Sequence, residues 1–168
     1  KLKPGKKIAV TDVDGKVSEY GADHIIIATG ARSRELPSLP QDGKKIIGYR
    51  QAMSLEKQPK KMIVVGSGAI GMEFAYFYNA MGTEVTVVEF LPNVVPVEDE
   101  DISKQLERSF KKVGIKVMTS SEVTKVDTSG DGVKATVKTS KGEEILEADL
   151  VLSAVGIKSN IENIGLEE

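Results

Sequence analysis

Apolar and polar positions follow two different patterns along this chain. In its middle third, short apolar runs are separated by segments in which apolar residues recur every three or four positions. This pattern predicts strands at 62–65, 85–88 and 115–118, with helices at 70–81 and 102–113 between them. Strands that alternate with helices form parallel sheets, because a parallel connection needs a long crossover. The predicted fold class is therefore α/β.

On either side of this region, short apolar runs alternate with turn residues, which is typical of antiparallel strands. The dipeptides Asp14-Gly15, Asp131-Gly132 and Lys141-Gly142 are the expected hairpin corners. The run at 25–28 is apolar enough to be a buried strand. After residue 121 we expect a small antiparallel meander that leads into a final buried strand. The predicted strands lie at 7–11, 16–20, 24–28, 123–126, 133–139, 143–146 and 150–152.

The composition narrows the possible functions. The chain has 168 residues, of which 40% are hydrophobic and 29% charged, and no apolar run approaches the roughly 18 residues of a membrane helix. We therefore expect no membrane partner. The net charge of −2 lacks the basic excess that nucleic-acid binding requires, so no nucleic-acid partner is expected. Without cysteine, the chain has no disulfide, thiolate nucleophile or cysteine-ligated metal of its own.

No catalytic or metal-binding set of residues is predicted. The single histidine, His24, precedes an apolar run and has no identifiable acid or nucleophile beside it. The acidic residues 98–101 are adjacent at a predicted helix start, where carboxylates favour the positive end of the helix dipole. We interpret them as helix capping and solvation rather than as metal ligands.

Three glycines separate the first central strand from its helix, in the motif Gly66-Ser67-Gly68-Ala69-Ile70-Gly71. The first glycine allows a tight turn, the second lets a pyrophosphate approach the backbone, and the third lets the helix pack on the sheet. Glu89, 18 residues after Gly71, ends the next strand, where a carboxylate can accept hydrogen bonds from an adenosine ribose. Residues 90–97 contain no Arg or Lys to balance a 2′-phosphate. The predicted cofactor is therefore the dinucleotide NAD rather than NADP.

Two interpretations of Glu73 stay open. Its carboxylate is favourable near the N-terminus of the predicted helix, which is a structural role. Alternatively, it points into the nicotinamide site and pairs there with a cation from another part of the protein. The sequence of this chain identifies no such cation.

Four segments together resemble the pyridine-nucleotide disulfide oxidoreductase family, and within it the enzymes that oxidise dihydrolipoamide. Residues 22–31 resemble the family's A-T-G segment, 59–73 its NAD fingerprint, and 87–92 the strand that ends on the ribose acid. Residues 154–166 resemble the return from the NAD domain into the FAD domain, although Gly156-Ile157-Lys158-Ser159-Asn160 replaces the Gly-Arg-x-Pro-Asn of many members. The resemblance implies a Rossmann-like NAD-binding domain, with a parallel sheet, helices and an antiparallel β-meander. Partial FAD-domain strands would flank it in a three-layer FAD/NAD(P)-binding fold.

The resemblance also implies domain boundaries and cofactor contacts. Residues 1–40 would be a partial FAD-domain segment that ends in the A-T-G turn, 41–157 the NAD-binding domain, and 158–168 the start of the return to the FAD domain. The implied FAD contacts are Thr29, Gly30 and Ala31. The implied NAD contacts are Gly66, Ser67, Gly68, Ala69, Ile70, Gly71, Met72, Glu73, Glu89, Val123, near the adenine, and Gly156, near the nicotinamide half.

In the family, such a domain serves a flavoenzyme that passes a hydride from dihydrolipoamide, or from a lipoyl-bearing protein, through FAD to NAD⁺. The family's redox disulfide, N-terminal FAD fingerprint and catalytic base have no counterpart in this sequence. We therefore expect a segment of a longer homodimeric enzyme that binds NAD but is inactive alone. NADH oxidase, another disulfide reductase of the family and a non-catalytic dinucleotide-binding module remain alternatives. The expected location is the cytoplasm, or the mitochondrial matrix for a eukaryotic protein.

Overall fold

The computed structural model describes residues 1–166, and this part of the chain divides into two compact units. Residues 1–32 and the described residues from Ile157 onward form the first unit, and residues 33–156 form the second. In chain order the strands are β1 (Leu2–Lys3), β2 (Lys7–Thr11), β3 (Val17–Gly21), β4 (Ala31–Ser33), β5 (Ile46–Ile47), β6 (Lys61–Val65), β7 (Glu84–Val88), β8 (Lys116–Met118), β9 (Glu122–Asp127), β10 (Val133–Thr139), β11 (Gly142–Ala148), β12 (Leu150–Ser153) and β13 (Ile157–Ser159). The helices are α1 (Tyr49–Ala52), α2 (Ala69–Ala80) and α3 (Glu100–Lys112). Within residues 1–166, no helix combines the length and the apolar composition that a membrane crossing needs.

The first unit contains an antiparallel sheet in the order β1-β2-β3. At the corner between β2 and β3, the carboxylate of Asp12 accepts hydrogen bonds from the backbone N–H groups of Asp14 and Lys16, at 3.0 and 2.8 Å. Such local hydrogen bonds from an aspartate stabilise tight turns. The hairpin predicted at Asp14-Gly15 is confirmed, with its second strand displaced by one residue.

The predicted buried strand at 24–28 is wrong. Residues 24–30 lie in no strand, and the side chains of Ile26 and Ile27 are 91% and 43% exposed. A short apolar strand is stable only when neighbouring strands supply hydrogen bonds and cover its faces. Within the described part of the chain, no sheet pairs with this segment. Its apolar composition is therefore not sufficient to make it a strand.

A parallel sheet forms the centre of the second unit, and within residues 1–166 it has five strands in the order β5-β12-β6-β7-β8. The strands and helices predicted between residues 62 and 118 are confirmed, with ends that differ by one or two residues. The predicted meander is confirmed as an antiparallel sheet in the order β11-β10-β9. The structure thus has the predicted strand–helix alternation followed by the predicted antiparallel strands.

Both faces of the parallel sheet are covered, and β6 shows how. Successive side chains of a strand point to opposite faces. Met62 and Val64 belong to a buried cluster that includes Met72 of α2, whereas Ile63 belongs to a second cluster that includes Val123 of the meander. Burial on both faces explains why residues 62–65 of β6 are continuously apolar rather than alternating. The layers are helices, parallel sheet and meander, so the predicted α/β class is confirmed.

Candidate functional site

The carboxyl ends of β6 and β7 bring the glycine motif and Glu89 together. The two strands are parallel neighbours, with Val65 opposite Val88. Directly after them, the N–H of Gly66 donates to the carbonyl oxygen of Val88 at 2.9 Å, and the N–H of Glu89 donates to that of Met118 at 2.8 Å. Ligands of open parallel α/β sheets bind outside this edge. The candidate site is therefore the carboxyl edge of the sheet at these two strands.

The three glycines of the motif have different environments. Gly66 has φ +98°, and a Cβ there would lie 2.5 Å from the carbonyl oxygen of Ala154. A Cβ on Gly71 would overlap the carbonyl oxygen of Gly66, because α2 packs closely on the turn. Gly68, the N-cap of α2, is the opposite case, since a Cβ there would meet no atom within 4 Å. Gly66 and Gly71 are thus needed by the fold, whereas Gly68 leaves space above the helix N-terminus.

Glu89 is a buried carboxylate that hydrogen bonds hold in one orientation. It is 7% exposed, and Ser67 beside it is 0% exposed. The backbone N–H and the hydroxyl of Ser67 both donate to Oε2 of Glu89 at 2.7 Å, and the N–H of Leu91 donates to Oε1 at 2.8 Å. Because a carboxylate has about four acceptor positions, one position on Oε1 remains for a ligand hydroxyl.

A cavity of about 670 Å³ opens over this edge of the sheet. Sites for small molecules and cofactors are typically about 300–1,000 Å³ and mainly apolar, with a few placed polar groups. Here the apolar surface comes from strand ends and loops, and the polar groups include the glycine turn, Glu89 and Arg34. The lining consists of Arg34, Leu36, Ser38, Leu39, Val65, Gly66, Ser67, Gly68, Val88, Glu89, Phe90, Leu91, Pro96, Val97, Ser121, Glu122, Val123, Ala154, Val155 and Gly156.

The structure brings some of the predicted cofactor residues together and separates others. Those that line the cavity are Gly66, Ser67, Gly68, Glu89, Val123 and Gly156. Gly71 is buried in the first turn of α2, where the helix packs on the glycine turn, and Ile70 is partly buried and lines neither this cavity nor the groove described next. Thr29, Gly30 and Ala31 belong to the first unit. The assignment of all these residues to cofactor binding stays a prediction.

Ala69, Met72 and Glu73 line a separate groove of about 410 Å³ between α2 and α3. Glu73 is exposed, and it lies in the first turns of α2. The first turn of α2 contains no acidic residue, and the effect of the helix dipole falls off beyond that turn, so the position of Glu73 does not decide between its two interpretations. Within residues 1–166, no group of three or more histidine or carboxylate side chains is placed to hold a metal ion.

Arg34, Ser121 and Glu122 also line the cavity, although the sequence analysis did not identify them. Ser121 follows β8, and its N–H donates to the carbonyl oxygen of Glu89 at 2.8 Å. The rule that ligands bind at the carboxyl ends of parallel strands could have suggested Ser121. The position of Arg34 depends on a hydrogen bond from its N–H to the carbonyl oxygen of Gly156, at 2.9 Å, which no local pattern indicates.

The whole chain, residues 1–168, matches the family model described as pyridine nucleotide-disulphide oxidoreductase. The chain belongs to this family. Members of the pyridine nucleotide-disulphide oxidoreductase family use FAD and NAD(H).

Named members of the pyridine nucleotide-disulphide oxidoreductase family are similar over nearly the whole chain. The dihydrolipoyl dehydrogenase of Rhizobium etli is 50% identical over 149 residues, which cover 88% of this chain and 31% of that protein. The mitochondrial dihydrolipoyl dehydrogenase of Pisum sativum is 43% identical over 168 residues, covering 96% of this chain and 34% of that protein. The crystal structure of LpdA from Mycobacterium tuberculosis has a TM-score of 0.82 at 38% identity, covering 96% of this chain and 34% of that one. The chain thus spans about a third of the length of these relatives.

Proposed function

We propose that the second unit binds NAD(H) in the cavity at the carboxyl edge of its parallel sheet. The observation that carries this proposal is the open space at Gly68 beside the buried, fixed carboxylate of Glu89. The space fits a pyrophosphate at the N-terminus of α2, where backbone N–H groups and the helix dipole favour an anion. The remaining acceptor position of Glu89 fits a ribose hydroxyl.

In this assignment residues 41–157 are the NAD-binding domain. Residues 1–40 and 158–168 are assigned to the FAD domain, although residues 33–40 pack in the second unit and contribute Arg34, Leu36, Ser38 and Leu39 to the lining of the cavity. Residues 167 and 168 lie outside the described residues. The turn at Thr29 and Gly30 fits a contact with FAD, because Asn160 holds it and leaves its surface accessible. The side-chain amide of Asn160 donates to the carbonyl oxygen of Thr29 at 3.2 Å, and the backbone N–H of Asn160 donates to the carbonyl oxygen of Gly30 at 3.0 Å. Both residues of the turn are exposed.

NADH is expected to bind at least about tenfold more tightly than NADPH, because a 2′-phosphate would face the carboxylate of Glu89. Residues 90–97 contain no Arg or Lys that would compensate. Calorimetric titration of the purified chain with each nucleotide measures the ratio of the affinity for NADH to the affinity for NADPH. In Glu89→Gln the ratio should fall, since the charge is removed while the shape of the side chain is kept.

Two results of these titrations would contradict the proposal. A wild-type chain that binds neither nucleotide would show that the cavity is not a dinucleotide site. A ratio that is unchanged in Glu89→Gln would show that Glu89 does not face the adenosine ribose.

We further propose that the longer protein is a dihydrolipoyl dehydrogenase, which converts dihydrolipoamide and NAD⁺ to lipoamide, NADH and a proton. The identity to relatives of that name supports this choice. FAD would supply the hydride relay between dithiol and nicotinamide. Since this chain has no cysteine, the redox disulfide would come from other residues of the protein. The proposed partners are dihydrolipoamide or a lipoyl-bearing protein, and a second copy of the enzyme. A cytoplasmic location, or the mitochondrial matrix for a eukaryotic protein, is part of this proposal, and the relative from Pisum sativum is named as mitochondrial.

The isolated chain is expected to bind NADH without oxidising it. Mixing the chain with NADH, lipoamide and added FAD should give no loss of NADH absorbance beyond that of a sample without protein. Reduction of lipoamide by this mixture would contradict the proposal that residues outside this chain complete the redox site. NADH oxidase remains the second candidate, and it would be favoured if the longer protein, rather than this chain alone, consumed NADH in a reaction that depends on oxygen and not on lipoamide.

A further inference from the structure

Arg34 lies at the rim of the cavity, next to the segment that supports the glycine turn. Its backbone N–H donates to the carbonyl oxygen of Gly156 at 2.9 Å, and its Cδ lies 4.0 Å from the position of a Cβ on Gly156. The two residues before Gly156 are those against which Gly66 packs. The stem of the Arg34 side chain therefore lies beside the strand-end loop at residues 154–156, which lines the same cavity as the open space at Gly68.

Among the described residues that line the cavity, Arg34 is the one with a positive charge. The other charged side chains of the lining are the carboxylates of Glu89 and Glu122. Oxygens of Glu89 are already engaged by Ser67 and Leu91. Among residues 1–166, no ion pair or side-chain hydrogen bond engages the guanidinium of Arg34, and the residue is exposed. Among the described residues, Arg34 therefore supplies the cationic side chain of the lining that an anionic ligand in this cavity can contact.

We propose that Arg34 binds the pyrophosphate of the dinucleotide, at the phosphate on the nicotinamide side. This inference rests on the proposed NAD(H) site. The pyrophosphate carries two negative charges, and the guanidinium matches phosphate oxygens with paired N–H donors. In the sheet, β6 lies between β7 and β12, and Glu89, the glycine turn and Gly156 follow β7, β6 and β12 in that order. With the adenosine ribose at Glu89 and the pyrophosphate at the glycine turn, Arg34 beside Gly156 lies on the side of the second phosphate, that of the nicotinamide half.

A comparison of NADH, ADP-ribose and AMP tests which phosphate Arg34 contacts. NADH and ADP-ribose contain both phosphates, whereas AMP contains only the phosphate of the adenosine half. Calorimetric titrations of Arg34→Gln should show affinities for NADH and ADP-ribose that are about tenfold weaker than those of the wild type. The affinity for AMP should be unchanged. Arg34→Lys, which keeps the charge but not the paired donors, should give intermediate affinities.

Arg108→Gln is the matched control, because Arg108 is an exposed arginine of the same unit that lies on α3 and does not line the cavity. Thermal melting of each variant verifies folding. If the wild type does not bind NADH, the proposed function fails and this inference fails with it. If the wild type binds NADH and Arg34→Gln binds it equally well, only the inference about Arg34 is overturned. Equal weakening in Arg108→Gln, or equal weakening for AMP, would also overturn it.

Discussion

Replacing Gly68 with alanine is expected to weaken NADH binding about 5- to 150-fold and to leave the fold intact. The added methyl group would enter the open space above the N-terminus of α2, where the pyrophosphate is proposed to lie. Overpacking a tight contact costs about 1–3 kcal/mol, which corresponds to this range of affinities. The free chain offers no clash, since no atom lies within 4 Å of the new Cβ and the backbone of Gly68 is extended, with φ −66°.

Gly130→Ala is the control for this substitution. Gly130 lies in the loop between β9 and β10, and a Cβ there also meets no atom within 4 Å. Because Gly130 does not line the cavity, this variant should keep both its melting temperature and its affinity for NADH. An affinity in Gly68→Ala equal to that of Gly130→Ala would show that the phosphate does not approach Gly68.

Replacing Gly71 with alanine is expected to lower the free energy of unfolding by about 3 kcal/mol. The new Cβ would overlap the carbonyl oxygen of Gly66 and press on Ala154, and both the turn and α2 are fixed by the buried core. For a chain of this length the melting temperature should fall by about 6–12 °C. Thermal unfolding followed by circular dichroism measures the shift.

Gly68→Ala and Gly71→Ala together separate binding from folding, although they are the same chemical change in one motif. A melting temperature of Gly71→Ala equal to that of the wild type would show that α2 does not pack on the glycine turn as described. Because the new Cβ would also displace the carbonyl group of Gly66 in the proposed binding turn, weaker NADH binding by Gly71→Ala is expected from packing alone, and the melting temperature is the measurement that tests this variant.

Local patterns were sufficient for the βαβ core of the second unit. The apolar run at 62–65, the helical spacing after it and Gly82 at its end are short-range signals, and α2 spans Ala69–Ala80 as these signals indicate within one residue. The segment 24–28 shows the limit of such signals. Its composition is that of a buried strand, but a strand also requires partners that its own sequence does not specify.

The part of the candidate site that one motif forms could be predicted from the sequence. The part that forms where distant segments of the chain meet could not. The glycine turn and Glu89 follow consecutive strands of one βαβ unit, so their spacing predicts that they meet. The hydrogen bonds between Ser67 and Glu89 depend on side-chain orientations that spacing does not define. Arg34 reaches the cavity through a backbone hydrogen bond to a residue far along the chain, Gly156. The sequence alone does not indicate which two distant residues form such a hydrogen bond.

The central claim is that NADH binds at the glycine turn and Glu89, and heteronuclear NMR of the isotope-labelled chain during NADH titration tests it most directly. We expect the largest chemical-shift changes at the backbone amides of Ser67, Gly68, Glu89 and Gly156. Small changes are expected in the groove between α2 and α3. A spectrum that does not change at high NADH concentration, or changes that centre on that groove, would contradict the account.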